Sequence, residues 1–211
     1  QLMDAFAVDW RFTMHEELQG DAWYPPLSEA GPATARVVTS GPDADLDKIA
    51  LVLLQALACA QKTIRVMTPY FLPDERIVTG LALAAMRGVA VDVVIPRASD
   101  HPFIDWATRA HVGPLIESGV KIWRNPPPFA HTKLMVIDEA WSFIGSANWD
   151  TRSLRLNFEL NMEVYDRGLA TTLASFVLEH AQILLKRPEL DMRTLPVRLR
   201  DAAMRLFLPY L

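Results

Sequence analysis

Apolar residues recur along this chain with two periods. From residue 63 onward, short runs of period two alternate with longer runs of period near 3.6. The runs "TIRVMT" (63–68), "VAVDVVIP" (89–96) and "VKIWR" (120–124) predict strands. Between them, "DERIVTGLALAAMRG" and "HPFIDWATRAHVGPLIESG" predict helices that end on Gly88 and Gly119. Strand and helix in strict alternation is the pattern of right-handed crossovers around a parallel core. After "NPPPFA" the rhythm changes. "HTKLMVID" (131–138) and "WSFIGS" (141–146) predict an antiparallel hairpin turning at Glu139 and Ala140, and "NFELNMEVYD" (157–166) a third strand. A helix from about Leu169 to Leu185 follows, then a basic amphipathic helix to the end. Upstream, "ARVVTS" (35–40) predicts a strand. The next helix is expected to start at Ser40 or Gly41, with Pro42 and acidic residues in its first turn. Residues 1–18 predict an amphipathic helix with Phe6, Trp10 and Met14 on one face, already under way at Gln1. The expected fold class is α/β: a mixed, mainly parallel β-sheet with helices on both faces. Residues 1–34 are expected to be the tail of a preceding domain plus a Pro/Gly-rich connector, and 35–211 a single unit, so that the sequence is a piece of a longer protein.

Composition narrows the function classes. Of 211 residues, 51% are hydrophobic, enough for a substantial core. Lys and Arg number 21 against 25 Asp and Glu, a net charge of −4, and no basic stripe suggests a broad grip on nucleic acid. The single cysteine, Cys59, admits no internal disulfide, and its apolar helical surroundings predict a small core residue. The longest apolar run, "IALVLLQALACA", falls short of the ~18 residues that span a bilayer. The N-terminal residues carry no signal-peptide pattern.

The chemistry concentrates at the predicted hairpin. In a strand, alternate residues share a face, so His131 and Lys133 point together. Asn157, Glu159 and Asn161 share one face of the third strand, and Gly145, Ser146 and Asn148 open the loop after the second. An imidazole serves as nucleophile or general acid near neutral pH. Lysine offers charge to phosphate oxygens, and Asn, Ser and backbone N–H groups add donors for charge that develops in a transition state. A carboxylate on the second imidazole nitrogen would fix its tautomer. Held together, these types suit attack on a phosphodiester.

"HTKLMVIDEAWSFIGSAN" matches the H-x-K-x4-D-x6-G-S-x-N motif and thereby resembles the phospholipase D superfamily. "TPYFLPD" (68–74), "AAMRGVAVDVVIP" (84–96), "ESGVKIW" (117–123) and "NWDTRSLRLNFELN" (148–161) are similar to the second half of a bacterial cardiolipin synthase. The resemblance implies phosphatidyl transfer through a phosphohistidine, with a phosphatidylglycerol-like phospholipid as substrate. It implies no cofactor and no metal; His15, His101, His111 and His180 form no evident metal cluster. It makes His131 one of a reacting histidine pair, Lys133 and Asn148 phosphate binders, Ser146 and Gly145 part of the same pocket, and Glu159 the carboxylate that orients His131. Asp138 belongs to the motif but sits at the far end of its strand and is expected to be structural. Tyr70 and Phe71, at a strand end where open α/β sheets place ligands, are further substrate-binding candidates. Asp100 and His101 follow another strand end; Asp100 is expected to cap a helix.

The family uses two motifs per site and this chain has one. The second is expected either upstream in a missing N-terminal half or in a homodimer partner. The resemblance also implies a membrane surface as partner and a place at the cytoplasmic face of the bacterial inner membrane. Two other classes stand against this reading: a single-motif homodimeric endonuclease or phosphodiesterase, and a non-catalytic membrane-associated module. The acidic charge speaks against the first, the intact motif against the second. For the C-terminal arginines, Arg193, Arg198, Arg200 and Arg205, two arrangements are open: a helix lying on an anionic membrane, or one packed on the domain with its arginines outward.

Overall fold

Period-two segments became strands and period-3.6 segments became helices in the computed structural model, which describes residues 1–42 and 46–206. In chain order the elements are α1 (Leu2–Met14), β1 (Thr34–Ser40), α2 (Lys48–Cys59), β2 (Thr63–Met67), β3 (Phe71–Leu72), α3 (Glu75–Met86), β4 (Ala90–Pro96), α4 (Pro102–His111), α5 (Gly113–Glu117) and β5 (Lys121–Asn125). Then come β6 (Leu134–Ile137), β7 (Trp141–Gly145), β8 (Trp149–Asp150), α6 (Thr151–Arg155), β9 (Glu159–Tyr165), α7 (Arg167–His180), β10 (Ile183–Leu184), α8 (Arg187–Asp191) and α9 (Leu195–Arg205).

One sheet has the order β1-β9-β7-β6-β2-β4-β5-β10. Strands β2, β4 and β5 are parallel neighbours, and the remaining contacts in this sheet are antiparallel. By direction, β1, β7, β2, β4 and β5 run one way and β9, β6 and β10 the other. The fold class is the α/β arrangement expected. Alternate strand residues feed two cores, as they must in a sheet covered on both faces. Ile64, Val66, Val93, Met135 and Ile137 join Leu53, Leu57 and Leu81 of α2 and α3 on one face. Met67, Val94, Leu134 and Val136 meet Ala170, Ala174 and Val177 of α7 on the other. Outside this sheet, β3 and β8 form a parallel two-stranded ribbon.

Several boundaries differ from expectation. Helix α2 starts at Lys48, after Asp47 at φ 63°, well past Ser40 and Gly41; residues 43–45 lie outside the described ones. Cys59 is exposed, not core, because α2 buries Ile49, Ala50, Leu53 and Leu57 and turns the Leu51–Gln55–Cys59 stripe outward. The predicted 101–119 helix is two: Pro114 lacks an N–H and disfavours helix in the residue before it, so α5 restarts there as a short turn. Helix α7 stops at His180, and Ile183–Leu184 instead pair with Arg124 and Trp123 at the sheet edge. The hairpin turns at Asp138 and Glu139, both at positive φ (52° and 48°), one residue earlier than predicted.

Candidate active site

Strand β6 begins at Leu134, so His131 and Lys133 lie in its lead-in and not in the strand itself. The lead-in still runs beside β7, because the Lys133 carbonyl accepts the Gly145 N–H at 3.3 Å. Lys133 borders a small cavity with Ile49, Leu53 and Asn161, which puts it on the α2 face of the sheet. Its Nζ donates to His131 Nδ1 at 2.8 Å and to the His131 carbonyl at 3.0 Å. Tyr70 meets the imidazole edge-on, 5.9 Å between ring centres, and Phe129 stands 5.8 Å away.

The electrostatics follow from this packing. His131 is held below the ordinary histidine value by loss of water and then by the Lys133 cation, against the pull of Asp100. Loss of water also lowers Lys133, opposed by the carboxylates of Glu159, Asp150 and Asp100. Both shifts bias the pair toward its uncharged forms.

Strand β9 brings the second set. Glu159 accepts from Ser146 Oγ and, at 3.2 Å, from Asn157 Nδ2, so its carboxylate faces these two and not His131. The expected orienting bond from Glu159 to His131 is absent among the described residues; Glu159 reaches the site through its charge on Lys133. Ser146 Oγ also accepts the Leu160 N–H at 2.9 Å. Its hydroxyl therefore fastens the loop to β9 and has no proton left for a ligand. Gly145 is where β7 presses on β9: a Cβ there would lie 2.3 Å from Asn161 Oδ1 and 2.4 Å from the Leu160 carbonyl. This close approach is what requires a glycine at 145.

Asn148 is placed by the β3–β8 ribbon, which binds the Trp149 N–H to the Tyr70 carbonyl at 3.2 Å and so joins "TPYFLPD" to "NWD". Asn148 Nδ2 donates to Ser153 Oγ at 3.2 Å, and its buried Oδ1 has no partner. Asn161 Nδ2, in a residue 1% exposed, has none either. Buried orphans of this kind are rare in folded proteins and cost free energy. Asp150, not singled out in the sequence, caps α6 through the Ser153 N–H at 2.7 Å, and burial raises its carboxyl. The N-x-D-x-x-S spacing of 148–153 was the available signal for Asp150 and Ser153.

Tyr70 and Phe71 are consecutive and must point opposite ways. Tyr70 faces His131, and its hydroxyl donates to Asp100 at 2.8 Å; burial and that carboxylate push it up to about 12. Phe71 turns into the core against Trp149, 1% exposed, so it is no ligand contact. Asp100 does not cap α4. His101 occupies the cap position, Ser99 Oγ accepts its N–H, and Asp100 is left to Tyr70. Asp138 accepts the backbone N–H groups of Gln61, Lys62 and Thr63 at 2.9, 2.7 and 2.7 Å; its partners are main chain, not the basic side chain such a residue often finds.

The family described as cardiolipin synthase, PLD-like domain, matches residues 53–180, well over half of the chain and all of the motif. The chain belongs to this family. Two cardiolipin synthases of Staphylococcus epidermidis (strain ATCC 35984) are 32% and 35% identical over 98% of this chain, and one of Staphylococcus aureus (strain N315) is 31% identical over 98%. The chain spans about 43% of the two Staphylococcus epidermidis relatives. Among solved structures, a phosphatidylserine synthase of Haemophilus influenzae superposes with TM-score 0.66 at 18% identity, covering 88% of this chain and 49% of that one. The phospholipase D family member Nuc of Salmonella typhimurium gives 0.61 at 20% identity, covering 73% and 97%. These two likenesses establish the phospholipase D fold for the cardiolipin synthase-like domain described here.

Proposed function

We propose that this domain supplies one of two motifs for phosphatidyl transfer between phospholipids, with a phosphatidylglycerol-like donor, as the names of its curated relatives suggest. The observation that carries the reading is His131 held against Lys133 at the open end of the hairpin, beside Asn148 and Asn161 with their unpaired polar atoms. In the proposed first step a ring nitrogen of one histidine attacks the lipid phosphorus. An N–P bond forms and the P–O bond to the leaving glycerol breaks. The second motif's imidazolium gives its proton to that alkoxide. In the second step an acceptor hydroxyl loses its proton to the same imidazole and attacks phosphorus, and the N–P bond breaks. His131 takes one of these two parts. Lys133 leaves its imidazole contact for a non-bridging phosphate oxygen, and the site's unpaired amide groups settle against the bound head group. The second motif comes from residues outside this sequence or from a second copy. We place the working enzyme at a membrane, at the cytoplasmic face of the bacterial inner membrane.

The test is to trap the adduct. The natural-length protein is mixed with radiolabelled phosphatidylglycerol, quenched and mapped. Label on His131 makes it the nucleophile. Label on the other motif's histidine, with turnover lost in His131→Ala, makes it the acid. Lipid turnover that survives His131→Ala overturns the assignment.

A further inference from the structure

Helix α9 is turned inside out relative to a surface helix. Its Arg200 and Arg205 face the domain and its leucines face away. Asp201, fully buried, binds Arg193 and takes two bonds from Arg200, at 3.0 and 2.7 Å. Arg109 of α4 approaches the same carboxylate at 3.8 Å. Arg200 also lies over the Trp106 ring at 4.1 Å, and Arg205 pairs with Glu75 at 2.9 Å. On the inner face Met204 packs against the buried cluster of Leu72, Ile104 and Ala107.

The outer face is an apolar stripe. Leu195, Leu199, Ala202 and Leu206 follow one another at spacings of four, three and four, which puts them on one side of a helix. Leu195 is 66% exposed, Leu199 61% and Leu206 79%, and Met192 just before the helix is 78% exposed. Arg198, at the edge of this stripe, has no side-chain partner among the described residues. Four arginines against one aspartate give residues 192–206 a charge of +3 in a chain of −4.

We propose that this outer face seats on an anionic phospholipid bilayer and holds the reacting histidine at head-group level. The inference rests on the reading of the substrate as a phospholipid. Two features favour a bilayer as the occupant. Arg198 stands exposed at the edge of the outer face with no carboxylate partner among the described residues, a cation on the side that an anionic surface would meet. The helix also lies near the site: its Met204 packs against the buried Leu72, Ile104 and Ala107, as does Tyr70, whose ring meets His131 edge-on. An interfacial helix with apolar residues on one side and arginines behind them inserts to just below the head groups. That depth suits a catalyst whose scissile phosphate lies in the same plane.

The experiment is flotation of the 211-residue chain with vesicles of phosphatidylcholine, with or without phosphatidylglycerol. The wild-type chain should float with the mixed vesicles. The triple variant Leu195→Gln, Leu199→Gln, Leu206→Gln, made at exposed positions and checked by thermal melting, should lose binding at least about tenfold. Arg198→Glu should lose about fivefold or more on phosphatidylglycerol vesicles and little on neutral ones. His131→Ala should float like wild type. No flotation of the wild type overturns the proposal, as does a triple variant that floats unchanged. A triple variant that turns a dimer into a monomer while still floating also overturns it, and assigns the stripe to a second copy. Hydrolysis of the soluble diester bis(p-nitrophenyl) phosphate, measured in parallel, separates this from the catalytic reading. With hydrolysis read on the natural-length protein, which holds both motifs, a triple variant that loses flotation while that protein shows no hydrolysis keeps the docking face and counts against the enzyme; hydrolysis with unaltered flotation of the triple variant does the reverse.

Discussion

The two ends of the β6–β7 hairpin are built on opposite terms. At the closed end, Asp138 accepts three backbone N–H groups, and those bonds hold its carboxyl below the ordinary range despite the loss of water that pushes it up. At the open end, Lys133 and His131 share one hydrogen-bonding arrangement, Asn148 Oδ1 and Asn161 Nδ2 have no partner, and His131, Lys133 and Asp150 are all shifted against their charged forms. Both ends belong to one short motif, yet one is satisfied and the other is kept wanting.

The largest effect should separate the two ends outright. In the assembled enzyme, His131→Ala should lower lipid turnover at least about a thousandfold with an unchanged melting temperature. Asp138→Ala should do the opposite, costing about 2–4 kcal/mol in urea unfolding while the fraction still folded turns over normally. If these two outcomes were exchanged, the contrast between the ends would collapse. Next, Asn148→Ala should reduce kcat about a hundredfold, as for the loss of one preorganised polar group. Gly145→Ala should cost about 1–3 kcal/mol of stability, since its new methyl meets β9 main chain. The smallest effect is the most diagnostic. Lys133→Met removes a cation that lowers His131, so the NMR-titrated imidazole should rise toward about 6.5; Asp100→Asn removes an anion and should lower it further. The sign carries to stability. A histidine depressed in the fold binds fewer protons there than in the unfolded chain. Its contribution is therefore complete above the ordinary histidine value and declines as pH falls through it.

How much of this was legible depends on what each residue type signals. Strands β2, β4 and β5 were plain because period-two apolar runs bounded by Gly and Pro have few other solutions. Helix α2 was visible but its inner face was not, since "IALVLLQALACA" is apolar all round and offers no moment to place Cys59. Tyr70 and Phe71 were paired as candidates although strand geometry can present only one of them. His131, Lys133 and Asn148 were found as a spaced set and Asn161 as part of a polar strand face, whereas the burial of Asn161 and the whole of Asp150 escaped. A buried polar residue in a strand reads as the solvent side of an alternation until tertiary structure covers it. The C-terminal arginines were read as lying on a membrane or pointing outward from the domain; that Arg193 and Arg200 turn inward escaped for the same reason, since nothing local announces a buried Asp201.

The Asp138 latch joins segments 75 to 77 residues apart. During synthesis the amides of Gln61, Lys62 and Thr63 are made long before their acceptor leaves the ribosome. Until then the nascent chain keeps this corner open, and closing so long a loop carries an entropic penalty that grows with its logarithm. Any fragment that stops short of residue 138 therefore lacks the acceptor that seals the start of β2.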